Sequence, residues 1–260
     1  MIDASQPAQP TAAGPAFLDT VDGGRIAYHR TEGRGPGLVF CGGFMSDMTG
    51  TKALALEAYA KRRGKAFLRF DYRGHGQSSG RFVEGTIGAW KDDALAVFDA
   101  LTEGPQILVG SSMGGWIALL LARERPERIA GLVGIAAAPD FTEDLMWAQF
   151  DAAERETLKT ERILRQPSDY SDEPYTITMD LIEEGRRHLL LQTPIPISAP
   201  VRLLQGMRDS DVPYRHALLL AERLEAEDVQ IQLIKNGDHR LSTDQDLAIL
   251  CRTLDSLLPH

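Results

Sequence analysis

The sequence lacks the features that mark several large classes of protein. It has only two cysteines in 260 residues, so no disulfide framework is expected and a reducing, cytoplasmic location is predicted. No stretch approaches the roughly 20 uncharged apolar residues of a membrane-spanning helix. The net charge of -9 leaves no basic excess for a phosphate backbone, so no nucleic-acid partner is expected. No metal-ligand spacing appears, and we expect neither a metal nor an organic cofactor.

The first 14 residues also lack recognisable signals. They are mostly Ala, Pro, Gln and Ser, with a single acid at Asp3. They have neither the basic start and apolar run of a secretion signal nor the arginines of an organelle transit peptide. We interpret residues 1–14 as a disordered leader, and the missing transit signal argues against a mitochondrial location.

What the chain does contain is a regular alternation of apolar strands and helical segments from Phe17 onward. A first hairpin is predicted around the turn Asp22-Gly23-Gly24. Strands that alternate with helices of 10 to 15 residues are typical of a mostly parallel sheet with helices on both faces. The sequence therefore predicts one α/β domain.

Residues 138–200 interrupt this alternation. The segment begins with an amphipathic helical stretch, Phe141 to Leu164, and continues with a second one near Met179 to Leu191. About 60 residues are too many for a connecting loop. We predict a small helical cap over the strand ends, which divides the α/β core into residues 15–137 and 201–260.

The strongest motif is a serine at the point where a predicted strand turns into a helix. The strand Gln106 to Val109 is followed by Gly110-Ser111-Ser112-Met113-Gly114 and by an apolar helix. Such a sharp turn leaves no room for side chains two residues before and after the exposed serine. Glycines occupy both of those positions around Ser112, whereas Ser111 is flanked by Val109 and Met113. Ser112 is therefore the predicted nucleophile.

A serine hydroxyl needs a base, and the base needs an orienting acid. His239 is the histidine beyond Ser112 that falls in the loop between the last predicted strand and the last helix. The loop after the strand Val201 to Leu204 offers two acids, Asp209 and Asp211. Asp140, after an earlier strand, is a less favoured variant.

These motifs resemble the α/β-hydrolase family over nearly the whole chain from Phe17. Gly206, Asp209, Val212 and Pro213 match the family pattern Gly-x-x-Asp-x-x-Val-Pro, which selects Asp209 as the acid. The stretch from Asp71 to Ser78 resembles the family's Asp-x-Arg-Gly-x-Gly-x-Ser loop. The resemblance implies an eight-stranded, mostly parallel sheet and the chain order serine, acid, histidine.

The resemblance also implies an oxyanion hole made by the backbone N–H groups of Phe44 and Met113. Gly42 stands where the family usually has a histidine before the oxyanion residue, but the hole needs the backbone and not that ring. The segments Gly43 to Met48, Gly110 to Trp116 and Asp238 to Arg240 resemble, more narrowly, the branch that contains a mitochondrial acyl-protein thioesterase.

Together these features predict a serine hydrolase that cleaves ester or thioester bonds of a small-molecule or acylated-protein substrate through an acyl-enzyme. Four apolar residues could line an acyl pocket, although packing of the cap on the core explains them equally well: Met45, Met146, Trp147 and Phe150. The alternatives are another serine chemistry, such as peptide cleavage or cofactor-free perhydrolysis, and a silent ligand-binding protein that kept the fold.

Overall fold

The structure is a computed structural model that describes residues 14–21, 23–166 and 175–258. In chain order, the strands among these residues are β1 (Ala16–Asp19), β2 (Arg25–Thr31), β3 (Arg34–Cys41), β4 (Lys65–Phe70), β5 (Gln106–Ser111), β6 (Ile129–Ile135), β7 (Ile163–Gln166), β8 (Tyr175–Thr178), β9 (Val201–Gly206) and β10 (Val229–Ile234). The α-helices are α1 (Thr51–Arg63), α2 (Ile87–Leu101), α3 (Met113–Glu124), α4 (Ala152–Glu161), α5 (Met179–Gly185), α6 (Tyr214–Arg223) and α7 (Asp244–Asp255).

Eight of these strands form one sheet in the order β1-β2-β4-β3-β5-β6-β9-β10. β1 and β2 are an antiparallel hairpin, and β2 is also antiparallel to β4. Every other neighbouring pair in the sheet is parallel. The predicted eight-stranded, mostly parallel sheet is confirmed. Gly23, in the predicted first turn, has a φ of 84°, and Asp22 lies outside the described residues.

Helices cover both faces of the sheet. Alternate strand residues point to opposite faces, so each strand contributes side chains to two separate cores. Val39 of β3 enters the core under α2, α3 and α6, whereas Leu38 enters the core under α1 and α7. The helix residues that fill the two cores include Trp90, Trp116 and Leu220 on one side and Leu56, Tyr59 and Leu254 on the other. The strand ends at the carboxyl edge of the parallel sheet are therefore fixed by packing on both faces.

Most elements have the predicted type, with small differences in length. The strands β5 and β9 run further than predicted, to Ser111 and Gly206, and so reach into the two motif loops. Ser111 still pairs with Ile135 of β6, which extends the ladder to the residue before Ser112. The final helix, which the sequence predicts to run from Asp244 to Leu258, ends at Asp255.

The segment between β6 and β9 is less helical than expected. Its predicted first helix is broken into a π-helical turn, Thr142–Trp147, and α4, which begins at a capping box of Asp151 and Glu154. The strands β7 and β8 form a two-stranded antiparallel sheet that the sequence did not predict. The second helical stretch is α5 followed by a 3-10 turn, Arg186–His188. The predicted leader falls almost wholly outside the described residues, which begin at Gly14.

Candidate active site

Ser112 lies at the sharp turn between β5 and α3. Its backbone has a φ of 53° and a ψ of -121°, a conformation that costs a non-glycine residue about 1–3 kcal/mol. Hydrogen bonds hold the turn on both sides: the Ser112 N–H donates to the carbonyl of Ile135, and its carbonyl accepts from the N–H groups of Gly115 and Ala138. These three hydrogen bonds hold Ser112 in its strained backbone conformation.

The two glycines around Ser112 are required by close backbone contacts. A Cβ atom on Gly110 would lie 2.3 Å from the carbonyl oxygen of Gly114. A Cβ atom on Gly114 would lie 2.0 Å from the carbonyl oxygen of Cys41 at the end of β3. The start of α3 therefore presses directly on the neighbouring loop, as the spacing of the glycines predicts.

His239 reaches Ser112 from the loop between β10 and α7. Its Nε2 atom lies 3.1 Å from Ser112 Oγ. This loop packs backbone to backbone on the loop after β9, since a Cβ atom on Gly206 would lie 2.4 Å from the carbonyl oxygen of Gly237. The Arg208 N–H also donates to that carbonyl at 2.9 Å. Two glycines therefore let the histidine loop and the acid loop approach each other.

Asp209 is the acid that contacts this histidine. Its Oδ2 atom lies 2.9 Å from His239 Nδ1 and accepts a second bond from Gln205 Nε2 at 3.0 Å. Its Oδ1 atom accepts from the N–H groups of Asp211 and Val212. A carboxylate can only accept, so Nδ1 is the donor in this contact, and Nε2 faces the Ser112 hydroxyl as its acceptor. The side chain of Asp209 has no solvent exposure.

The other two candidate acids occupy different positions. Asp211 is 37% exposed at its side chain, and its Oδ2 lies 4.0 Å from His239 Nε2, on the serine side of the ring. Asp140 is buried and accepts from the N–H groups of Leu190 and Leu191, which joins the two ends of the insertion. Burial raises the pKa of Asp140 to about 6. Of the three acids, Asp209 is the one on Nδ1.

Of the two residues predicted to form the oxyanion hole, Met113 directly follows Ser112 in the chain, and the loop that carries Phe44 approaches Ser112. Met113 is the first residue of α3, and N–H groups in the first turn of a helix have no partner within it. Phe44 follows Gly43, where an added Cβ atom would lie 3.5 Å from Ser112 Cβ. The loop after Phe44 is fixed by Asp71, which accepts from the Met48 N–H at 2.7 Å.

The Phe44 ring lies at the centre of an aromatic cluster that joins the core to the insertion. Ring centroids lie 4.8 to 6.1 Å away in Phe82, Trp90, Phe141 and Tyr175. Phe141 and Tyr175 belong to the insertion or its start, and Tyr175 begins β8. Met45, beside Phe44, is 42% exposed. The side of the site next to Phe44 is therefore apolar.

The other predicted pocket residues pack largely inside the insertion. Phe150 is 6% exposed and lies in a small core with Leu158 and Ile182, which leaves it little surface for a substrate. Trp147 contacts Phe150, and the guanidinium groups of Arg155 and Arg186 lie within about 6 Å of its ring centroid. Met146 packs against both this small core and the main core. The amphipathic spacing indicated that these side chains face an apolar interior. It could not indicate whether that interior belongs to the insertion, to the main core or to a substrate pocket.

Two residues that the sequence analysis did not identify support the site. Gln205 is fully buried in β9 and donates from Nε2 to Asp209 and to the carbonyl of Val212. Lys52 of α1 donates from Nζ to the carbonyl of Arg240, next to His239, at 2.5 Å. A glutamine directly after the apolar pair Leu203-Leu204 was a signal for the first, whereas Lys52 gave none because its contact spans 188 residues.

Two further features are absent from the described residues. Within residues 14–21, 23–166 and 175–258, no helix is long and apolar enough to cross a membrane. The same residues contain no group of three or more histidine, cysteine, aspartate or glutamate side chains that could hold a metal ion.

Comparison with known proteins identifies the family. The sequence model of the family described as serine aminopeptidase, S33, matches residues 37–167. The mitochondrial palmitoyl-protein thioesterase ABHD10 of Bos taurus is 43% identical over 94% of this chain and 79% of its own length. The Homo sapiens protein of the same name is 41% identical over 94% of this chain and 79% of its own.

Solved structures agree with these relatives. The mouse α/β-hydrolase domain-containing protein 10 superposes with a TM-score of 0.88 at 40% identity, and the match covers 94% of this chain and 98% of the mouse chain. A putative hydrolase from Agrobacterium vitis superposes with a TM-score of 0.90 at 41% identity, over 96% of this chain and all of the other.

The comparisons correct one prediction and establish the family. The predicted cytoplasmic location is wrong by this evidence, because relatives that match 94–95% of the chain are named as mitochondrial proteins. The low cysteine content and the missing transit signal were only indirect grounds for a cytoplasmic location. Free thiols, for example, are equally compatible with a mitochondrial interior. Identity above 40% over nearly the whole chain, together with the shared fold, is decisive for family membership. The chain belongs to the α/β-hydrolase family, within the group that contains the ABHD10 thioesterases.

Proposed function

We propose that this protein hydrolyses ester and thioester bonds of acyl substrates, with Ser112 as nucleophile, His239 as base and Asp209 as the orienting acid. The observation that carries the proposal is the continuous chain of contacts from Ser112 Oγ to His239 Nε2 at 3.1 Å and from Nδ1 to Asp209 Oδ2 at 2.9 Å. A nucleophile, base and acid within hydrogen-bond reach of one another are the arrangement that activates a serine hydroxyl.

In the proposed reaction, Ser112 Oγ attacks the acyl carbonyl carbon while His239 Nε2 takes the hydroxyl proton. Asp209 stabilises the imidazolium and does not itself become protonated. Collapse of the tetrahedral intermediate breaks the bond to the alcohol or thiol, which leaves with that proton. A water molecule then attacks the acyl carbon with His239 as base again, the bond from that carbon to Ser112 Oγ breaks, and His239 returns the proton to Oγ as the acid product departs.

The negative charge of the tetrahedral intermediate would be held by the N–H groups of Phe44 and Met113. Met113 begins α3, so the partial positive charge at the helix start adds to its N–H. Both donors lie on rigid backbone, because glycine contacts and the Asp71 bond fix the two loops. Removal of one such donor typically costs about 3 kcal/mol of barrier.

We further propose that residues 138–200 act as a cap over this site, with the rest of the described α/β sheet and helices as the core. The support is the contact of the Phe44 ring with Phe141 at 5.7 Å and with Tyr175 at 6.1 Å between centroids. An acyl chain that leaves Ser112 on the side of Phe44 would meet this aromatic cluster. The relatives named as palmitoyl-protein thioesterases make a long-chain thioester the first substrate to test.

The test is a set of initial rates on matched oxygen esters and thioesters, from short to long acyl chains, for wild type and Ser112→Ala. We expect long-chain thioesters to exceed short oxygen esters in kcat/KM by tenfold or more, about 1.4 kcal/mol of transition-state preference. Ser112→Ala should lose nearly all turnover, whereas Ser111→Ala should keep it. A preference for short oxygen esters would make the protein a small-ester hydrolase, and full activity of Ser112→Ala would end the proposal.

A second candidate activity is amide cleavage, which the description of the matching family as a serine aminopeptidase favours. Rates on an amide and an ester of the same acyl group separate the two activities. Faster cleavage of the amide would overturn the esterase proposal, whereas no detectable cleavage of the amide would exclude the peptidase activity.

A further inference from the structure

The strand β10 is an open edge of the main sheet with an unusual composition. It is the last strand in the sheet order, and its sequence Val-Gln-Ile-Gln-Leu-Ile contains no charge and no proline. Leu233, in the second half of the strand, is 38% exposed. Monomeric proteins usually protect an edge strand with lysine, proline or a bulge, because its free N–H and C=O groups can pair with another strand. None of these devices interrupts β10.

The hydrogen bonds to β9 fix which backbone groups of β10 face outward. The carbonyl of Asp228 accepts from the Val201 N–H in β9, and the carbonyl of Ile234 accepts from the Met207 N–H just after β9. The parallel register is continuous between these two bonds, so even-numbered residues face β9. The N–H and C=O groups of Val229, Ile231 and Leu233 therefore point away from the sheet.

We propose that two copies of this chain associate through antiparallel pairing of β10 with β10, on a two-fold axis at Ile231. Only residues with outward backbone groups can exchange bonds, and this register pairs Ile231 with its own copy and Val229 with Leu233 of the other. These three side chains share one face of the sheet, so the pairing also brings apolar side chains together. The two sheets become one sheet that runs through both copies.

The charges at the ends of β10 match the same register. Glu227 precedes the strand, Lys235 follows it, and both are exposed. With the axis at Ile231, Glu227 of each copy lies opposite Lys235 of the other. A shift of the axis by two residues, to Val229 or Leu233, separates these charges and leaves apolar residues opposite polar loops. The interface is self-complementary and closes at a dimer.

The first experiment measures the mass of the wild type by sedimentation or light scattering over concentrations up to about 100 µM, a range that detects weak dimers. We expect a dimer. Ile231→Pro removes an outward N–H and no bond to β9, and should yield a folded monomer. A wild type that stays monomeric over the whole range overturns the proposal, as does a dimer that Ile231→Pro leaves intact.

Charge reversal tests the register without changing the strand. Glu227→Lys creates two like-charge contacts per dimer and should weaken the dimer by about tenfold at low salt. The double variant Glu227→Lys with Lys235→Glu should restore wild-type affinity, because it restores both opposite-charge pairs. Failure of the double variant to recover would overturn the register even if Ile231→Pro does not fold. Ester hydrolysis is assayed throughout, and these variants should leave kcat unchanged because they lie outside the site.

Discussion

Gly114→Ala is the substitution for which the structure predicts the largest effect from the smallest change. The added Cβ atom would lie 2.0 Å from the carbonyl oxygen of Cys41 and 2.5 Å from that of Gly42, both of them backbone atoms. The start of α3 and the end of β3 must therefore move apart by about 1 Å before the distance from Cβ to the Cys41 oxygen reaches the shortest value that proteins tolerate. Overpacking of this kind costs about 3 kcal/mol of unfolding free energy. In a chain of this size, that lowers the Tm by roughly 6–12 °C.

The same movement should reduce catalysis, because it separates the two proposed oxyanion donors. Met113 moves with α3, whereas Phe44 follows the loop that begins at Gly42. A misplacement of about 1 Å in an active site can reduce the rate about 100-fold. We expect kcat on a good ester substrate to fall by that factor, with a smaller change in KM.

Gly42→Ala is the matched control. It adds the same methyl group to the neighbouring loop, but an added Cβ atom there has nothing within 4 Å. Its unfolding free energy should stay within about 0.5 kcal/mol of wild type and its kcat within a few-fold. Urea unfolding and steady-state rates are measured for all three proteins. If Gly114→Ala matches Gly42→Ala in both, the account of the close contact at the start of α3 is wrong.

The remaining predictions concern four side chains at or near the site. Asp209→Asn should reduce kcat by about 10³–10⁴ because it alters the histidine tautomer, whereas Asp211→Asn should reduce it only a few-fold; steady-state rates distinguish them. Lys52→Met should lower kcat about tenfold with little change in KM, through loss of the bond that holds the Arg240 carbonyl, and Lys52→Arg should recover part of it. For Asp140, the raised folded pKa of about 6 means that the unfolded chain releases its proton first as pH rises from 4. Wild type should therefore lose about 2 kcal/mol of stability relative to Asp140→Asn between pH 4 and pH 7, and urea unfolding that shows a constant difference would refute this.

The parts of the site that local sterics determine were predictable from the sequence. Gly110 and Gly114 flank Ser112 because the turn excludes Cβ atoms at those positions, and that constraint is visible in five consecutive residues. His239 follows the last strand of a parallel sheet, whose loops gather at one edge. The acid was less certain, because spacing alone left Asp209 and Asp211 and only the family pattern separated them. The structure brings Asp209 to His239 Nδ1, and its catalytic role stays a prediction.

What the sequence could not predict depends on contacts between distant segments. The bond from Lys52 to the histidine loop joins residues 188 apart, and no local pattern encodes it. The antiparallel pair of β7 and β8 consists of two four-residue strands, too short for an alternation to be distinguished from a loop. Phe150 is apolar and correctly expected to be buried, but whether it faces a substrate or the insertion core depends on the path of the chain.

Whether Ser112 is an activated nucleophile can be tested by covalent labelling of the intact protein with a fluorophosphonate, followed by peptide mapping by mass spectrometry. An activated serine hydroxyl reacts with this reagent, whereas an ordinary serine does not. We expect one adduct, on Ser112, that is lost in Ser112→Ala, forms much more slowly in His239→Ala and is retained in Ser111→Ala. An unlabelled wild type, or an adduct on any other serine, would contradict this prediction.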